Sequence, residues 1–226
     1  MVHRRQPPDP GWAAVDDYIA GHLLGEDAAL ADALDANEAA GLPAIDVSAA
    51  LGKMLYMLAR MCGATRVLEV GTLGGYSTIQ LARAAGESGR VITLEIDPRH
   101  AEVARGNLDR AGVGERVEIL IGPALDTLAT LNGPFDFVFI DADKQNNVAY
   151  VREALRLSRP GTTIVVDNVI REGAVLDADS DDERVTGTRA LFEAVAAEPR
   201  LSATAIQTVG AKKWDGFLLA VVGAGN

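Results

Sequence analysis

The 226-residue sequence contains a single cysteine, Cys62, and only three histidines, His3, His22 and His100. One thiol cannot close an intramolecular disulfide or build a cysteine zinc cluster, and no histidine stands at zinc-ligand spacing from Cys62 or from another histidine. Cys62 therefore reads as a small buried apolar residue. No apolar run approaches the roughly 18 residues that cross a bilayer. Residues 1–10 carry basic residues and prolines but no apolar stretch of the kind that drives secretion. A cytoplasmic location away from membranes is the expectation. Positive charge is scarce as well: 21 Lys and Arg face 32 Asp and Glu, a net charge of −11. Phosphate affinity is supplied mainly by Lys and Arg, so the charge speaks against general nucleic-acid binding, although not against a small RNA contact on one basic patch.

With 48% hydrophobic and 23% charged residues the chain is globular in composition. No repeat or linker divides it, so one domain over residues 1–226 is expected, with a helical extension over 1–60 and a catalytic core over 61–226. A loose lead-in over 1–11 should precede two short helices within 12–40 and, after Pro43, a helix from an N-cap at Ser48 to about residue 61. Strands then alternate with helices. The strands are predicted over 66–71, 91–96, 117–122, 135–141 and 161–167, and the helices over 77–85, 98–111, 124–131, 147–157 and, past a polar loop, 181–197. Two more strands, 201–209 and 216–222, flank a turn at Lys212–Lys213 and are too close for a crossover helix, so they should form an antiparallel hairpin. Repeated β-α units imply an α/β fold: a doubly wound, mostly parallel sheet with helices on both faces.

In such sheets ligands bind outside the carboxyl ends of the strands. The first strand runs into Glu69-Val70-Gly71-Thr72-Leu73-Gly74-Gly75-Tyr76-Ser77. Glycines let the backbone turn sharply and approach a ligand, but the spacing is not the G-x-G-x-x-G of dinucleotide binders, and a glycine-rich turn also serves as a plain connection. Glu95, ending the second strand, can accept hydrogen bonds from both hydroxyls of a ribose. Glu69 stands where a carboxylate could meet a cationic amino group. An adenosine bearing an amino acid in place of a pyrophosphate suits both, and S-adenosylmethionine is that molecule. The fourth strand ends in Asp141-Ala142-Asp143-Lys144 and the fifth in Asp167-Asn168. Two carboxylates and an amide on neighbouring strand ends are hard oxygen donors of the kind Mg²⁺, Ca²⁺ or Mn²⁺ prefers. Lys144 beside them is either a general base or an ordinary surface lysine.

At this point the sequence resembles the metal-dependent class I O-methyltransferases, the group containing the catechol and caffeoyl-CoA O-methyltransferases. The resemblance rests on VLEVGTLGGYSTIQLARA, VITLEIDPRHAEVARGNL, IGPALDTL, FDFVFIDADKQNN, GTTIVVDNVIREGAV and WDGFLLAVV, together spanning about residues 45–222. It implies a Rossmann-like sheet of seven strands with an antiparallel last strand, preceded by extra N-terminal helices. It also implies that Glu69, Gly71, Thr72, Ser77, Glu95 and Ala124 hold the cofactor, with Asp141 close by and a backbone contact from Val47. Asp141, Asp167 and Asn168 would bind the metal, Mg²⁺ before Ca²⁺ or Mn²⁺, and Lys144 would take the proton of a small phenolic, catechol-like acceptor. A homodimer is implied too. Plant caffeoyl-CoA enzymes resemble DADKxNY and carry Asn before the glycine that follows DN, where this sequence has Asn147 and Glu172. The chain resembles the broad bacterial branch instead, and coenzyme A thioester specificity is not implied.

Other readings stay open on the sequence alone. Methylation of hydroxyuridine in tRNA would use a local patch of Arg171, Lys212 and Lys213. A catalytically silent nucleotide-binding or dimerisation module is a second, and a nicotinamide dehydrogenase is the weakest. The acidic stretch 177–183 either covers the acceptor or is a solvated connection, and Trp214 and Tyr150 either flank an aromatic acceptor or pack in the core.

Overall fold

The computed structural model describes residues 10–224. Of the expected lead-in, residues 1–9 lie outside the described part, and from Pro10 the chain is already helical. Three helices come first: α1 (Pro10–Leu23), α2 (Ala28–Ala39) and α3 (Ala49–Met61). Each of the latter two starts where a side chain can satisfy a free N–H: Asp27 accepts from the Leu30 amide, and Ser48 from that of Leu51 at 3.2 Å, the cap expected from the sequence.

The alternating part continues as β1 (Arg66–Val70), α4 (Tyr76–Ala85), β2 (Arg90–Glu95), α5 (Pro98–Arg110), β3 (Val117–Ile121), α6 (Ala124–Thr130), β4 (Phe135–Ile140), α7 (Asn147–Arg156), β5 (Ser158–Asp167), α8 (Glu183–Ala196), β6 (Leu201–Gly210) and β7 (Lys213–Val222). The seven strands form one sheet in the order β3-β2-β1-β4-β5-β7-β6. Only β7 runs against its neighbours, being antiparallel to both β5 and β6. The chain winds outward from β1 to β3 and then returns to place β4 on the other side of β1. The switch point of the sheet therefore lies between the ends of β1 and β4.

Two strands start three residues earlier than the sequence-based expectation, and most other boundaries fall within one or two residues of it. β5 begins at Ser158, three residues early, and β7 begins at Lys213, so the hairpin turn is Ala211–Lys212. Lys213 takes a positive φ of 75° to make that turn. The polar loop after β5 contains a 3₁₀ segment, Arg171–Leu176.

Alternation along β1 and β4 divides the core into two layers. Leu68, Val138, Ile140, Ile164 and Val166 pack with α7 and α8 on one face. Val67, Phe137, Phe139 and Val165 pack with α3, α4 and α5 on the other. Every residue of β4 is buried, as expected of a central parallel strand, and the enclosed Phe137 and Phe139 each contribute about 1.5–3 kcal/mol by leaving water. Leu55 and Ala59 of α3 are fully buried in the second layer, so the N-terminal extension shares the core.

Opposite the switch point, at the start of the strands, Asp136 ties three of them together. Its Oδ2 accepts from the amides of Thr65 and Arg66, each at 2.9 Å, and Oδ1 from the Arg159 guanidinium at 2.7 Å. Burial opposes the charge of this carboxylate, but those donors outweigh it and hold its pKa down at about 2.

Candidate active site

The turn after β1 is shaped by close backbone approach. Gly71 has φ +103°, and a Cβ there would fall 2.3 Å from the carbonyl oxygen of Asp141. Two backbone bonds seat the strand ends: Gly71 N–H donates to Leu94 O at 3.0 Å and Asp141 N–H to Val70 O at 2.8 Å. Leu73 (φ 50°) and Gly75 (φ 84°) carry the chain through left-handed conformations into α4. Gly74 has no side chain because Asn37 of α2 fills that space, and Asn107 of α5 donates to the Gly74 carbonyl at 2.8 Å. Neither asparagine was a sequence candidate.

Glu69 is completely buried. Its carboxylate accepts from the hydroxyls of Ser77 (2.7 Å), Thr78 and Thr93 (2.7 Å). Burial pushes its carboxyl up to about 7 against those three donors. These hydroxyls come from α4 and β2, so the carboxylate braces the start of α4 against the sheet. Thr72 meets Thr93 through their hydroxyls at 2.6 Å, in the same buried cluster. Thr78 and Thr93 were missed because a threonine inside a helix or strand carries no sequence mark of what it touches.

Glu95 ends β2 with little exposure. Its Oε2 accepts the Leu73 amide at 2.8 Å, and Oε1 accepts those of Ile96 and Asp97, each at 3.0 Å. The carboxylate thus joins the glycine turn to the end of β2 and is fixed in direction. Ala124 opens α6 beyond β3, half-buried, on the same edge. Val47, also half-buried, lines a cavity of about 550 Å³ with Asp46, Tyr76 and Lys212, between the N-terminal helices and the hairpin turn.

The carboxylate pair lies across the switch point from Glu95. Ile140 pairs with Val166, so the next residues, Asp141 and Asp167, end adjacent parallel strands. Asp167 is buried, and its carboxyl is pushed up to about 7, by burial first and by the charge of Asp141 second, with Lys144 acting the other way. Asn168 comes next at φ 59°, a conformation asparagine tolerates better than most residues. Lys144 is buried, with Nζ 2.7 Å from Asp141 Oδ1. Its surface-lysine alternative is therefore excluded. Among the described residues no three His, Cys, Asp or Glu side chains gather as a metal group. The candidate set has two carboxylates and one amide, with a lysine offsetting part of their repulsion. Oxygen donors, two negative charges and a raised carboxyl pKa fit a hard divalent cation.

Asp215, which carries no mark in the sequence, organises the loop after Asn168. Its Oδ1 accepts from the amides of Ile170 (3.0 Å), Arg171 (3.1 Å) and Gly216 (2.9 Å). Trp214 lies against Gly173, where a Cβ would come within 2.8 Å of its ring, and its indole N–H donates to Gln207 at 3.0 Å. Tyr150 is buried in the core, its hydroxyl donating to Asp143, which answers its place as core packing. Of the three residues named for a basic patch, Lys212 donates to the Ala44 carbonyl at 3.2 Å and Lys213 faces Glu172, the neighbour of Arg171, at 3.8 Å. In the acidic stretch, Asp182 caps α8 and pairs with Arg184 at 2.7 Å. No helix among the described residues is long and apolar enough to cross a membrane.

Comparison with known proteins adds to this geometry. Residues 25–221 match the sequence profile of a family described as O-methyltransferase. The chain is 59% identical to a catechol O-methyltransferase of Mycobacterium tuberculosis (strain ATCC 25618 / H37Rv), over 98% of this chain and 99% of that protein. It is 51% identical to a catechol O-methyltransferase of Niastella koreensis, over 92% of this chain and 96% of that one. Among solved structures, an O-methyltransferase from Bacillus cereus in complex with SAH superposes with a TM-score of 0.92 at 55% identity, covering 94% of this chain and 98% of that one.

Proposed function

This chain belongs to the O-methyltransferase family, and from that premise we propose that its acceptor is a small catechol-like phenol and that its crevice works with a divalent cation. It is an S-adenosylmethionine-dependent O-methyltransferase, and the proposal concerns what it methylates and how. One observation carries the reading: two acidic strand ends, Asp141 and Asp167-Asn168, lie side by side next to the glycine turn, with Lys144 against them. The names of the two relatives, both catechol O-methyltransferases, point the same way.

In this reading Asp141, Asp167 and Asn168 hold the cation, Mg²⁺ first and Ca²⁺ or Mn²⁺ as alternatives. When bound there, the cation would supply Lewis-acid chemistry that lowers the pKa of a phenolic hydroxyl. The turn at Gly71 and Thr72 and the N-terminus of α4 at Ser77 receive the amino-acid end of S-adenosylmethionine. Glu95 takes the ribose hydroxyls, and Ala124 and the Val47 backbone flank the remainder. Glu69 acts through Ser77 and Thr78, holding their hydroxyls in place.

Lys144 Nζ, once it has passed its own proton to solvent and stands as a neutral amine, receives the phenolic proton. The oxygen then attacks the sulfonium methyl in line: an O–C bond forms, the C–S bond breaks with its electron pair passing to sulfur, and S-adenosylhomocysteine leaves. The donor arrives activated, so the protein's main contribution is alignment, an effect worth about 7–11 kcal/mol in well-oriented systems. The same reading has the chain act as a homodimer through its N-terminal helices, where Val15, Tyr18, Met57 and Met61 are exposed and apolar.

The test is mass spectrometry of the products from catechol and S-adenosylmethionine, with Mg²⁺ and with EDTA. Monomethylated catechol that disappears in EDTA is the expected result. Asp141→Ala should lose this turnover while still binding S-adenosylmethionine. Undiminished methylation in chelator would refute the metal role.

A further inference from the structure

The glycines in the turn after β1 are required for different reasons. Gly71 and Gly75 take left-handed φ values of 103° and 84°, whereas Gly74 does not. A neighbour excludes the side chain there: an added Cβ would fall 1.8 Å from Oδ1 of Asn37 and 2.2 Å from its Cγ. Asn37 comes from α2, in the N-terminal extension, and is buried. A buried amide is costly unless both its oxygen and its nitrogen are paired. Nδ2 of Asn37 donates to Asp46 Oδ1 at 2.9 Å, and its Oδ1 accepts from Nδ2 of Asn107 at 3.0 Å. Asn107, buried on α5, also donates to the Gly74 carbonyl at 2.8 Å and to the Ala33 carbonyl at 3.4 Å, and its Oδ1 accepts from Arg110.

These bonds form one buried chain, from Asp46 through Asn37 and Asn107 to Gly74. Asp46 stands beside Val47 and the N-cap of α3 at Ser48, and Gly74 stands between Thr72 and Ser77. The Asn37 amide thus touches both the segment before α3 and the glycine turn, and its planar group holds them at one separation. Glu95 has supports of its own, because its Oε1 accepts the amides of Ile96 and Asp97 outside this chain of bonds. Movement of the turn would therefore disturb the surroundings of Thr72 and Ser77 more than it disturbs the Glu95 carboxylate.

We propose that Asn37 is a positioning residue for the methyl donor. Its amide sets the glycine turn against the segment of Asp46 and Val47, and so fixes the pocket for the amino-acid end of S-adenosylmethionine. The inference rests on the reading above, in which Gly71, Thr72 and Ser77 receive that end. No bond is made or broken at Asn37; it acts through Gly74 and Asp46. Buried polar networks whose members are all satisfied rigidify what they join, and a site whose supporting shell is loose loses its geometry.

The test is titration calorimetry of the full chain with S-adenosylhomocysteine and with methylthioadenosine, which keeps the adenosine and the sulfur but lacks the amino-acid end. The native chain should bind S-adenosylhomocysteine about ten- to a hundred-fold more tightly. Asn37→Ala and Asn37→Asp should each bring that preference close to one, while affinity for methylthioadenosine stays within about twofold. Asn37→Asp keeps the shape that fills the space at Gly74 but faces Asp46 with a second carboxylate. Adding Asp46→Asn exchanges donor and acceptor across the same bond and should restore the preference. If Asn37→Ala does not fold, Asn37→Asp and the exchanged pair decide. Ser77→Ala, within the turn itself, tests the underlying reading and should also lower the preference. With that shown, a preference that survives Asn37→Asp, equal losses for both ligands, or an exchanged pair that restores nothing would overturn the role of Asn37. A native chain without the preference, or a Ser77→Ala variant that retains it in full, would instead defeat the placement of the amino-acid end, and the inference with it.

Discussion

The carbonyl oxygen of Asp141 occupies the place where a side chain on Gly71 would begin, 2.3 Å from an added Cβ. The turn proposed to hold the methyl donor and the strand proposed to hold the cation are therefore in backbone contact at the switch point. A rigid contact of this kind lets two sites keep a fixed separation without any side chain joining them. Methyl transfer requires such a fixed separation between donor and acceptor.

Gly71→Ala tests this contact. The residue's φ of +103° is unfavourable for any L side chain, by at least about 1–2 kcal/mol, and the clash with Asp141 adds to that. The expected outcome is a lowered denaturation midpoint together with a loss of at least about tenfold in affinity for S-adenosylhomocysteine by titration calorimetry. Unchanged values of both would mean that the two strand ends can separate freely.

Cation binding should depend on pH through Asp167. Its carboxyl, raised to about 7, holds a proton below that pH, and a cation binds only the charged form. Affinity for Mg²⁺ should therefore rise by about tenfold per pH unit up to pH 7 and level off above it. Asp167→Asn should remove the slope and weaken binding throughout. Calorimetric titrations between about pH 5.5 and 8.5 read this directly, and a flat profile in the native chain would contradict it.

Acid stability should depend on Asp136. The folded pKa of about 2 lies below the ordinary carboxylate value of 3.8, so its contribution is complete above about pH 4 and is lost as pH falls toward 2. A shift of that size corresponds to about 2–3 kcal/mol. Asp136→Asn should lower neutral-pH stability by about that amount and flatten the pH dependence between 4 and 2. Urea unfolding at several pH values is the measurement, and parallel curves for the two proteins would rule the role out.

Asp215→Ala removes one acceptor from three amides, those of Ile170, Arg171 and Gly216. Leaving such groups unpaired costs about 1–3 kcal/mol each where water cannot reach them. The loop after Asn168 should lose its left-handed path, raising the KM for the acceptor while the affinity for S-adenosylhomocysteine, bound at the other strand ends, stays within about twofold. Equal losses in both would indicate a general structural role for Asp215.

Much of this was legible in the amino-acid sequence, for reasons of periodicity and local chemistry. Apolar runs ending in glycine or aspartate, alternating with helical stretches, determined the seven strands and their order along the chain. Ser48 and Pro98 marked helix starts because caps act on adjacent residues. Asp141, Lys144, Asp167 and Asn168 could be singled out because strand ends are where open α/β sheets bind ligands. The features that only the tertiary structure decided depend on contacts between residues far apart in sequence. Folding brought the hydroxyls of α4 and β2 around the Glu69 carboxylate. Asp215, 47 residues beyond Asn168, reached that residue's loop because β7 inserts antiparallel beside β5. Spacing along a chain can state which residue types stand at a strand end; the direction each side chain faces, and which distant group meets it, depend on how the sheet closes around them.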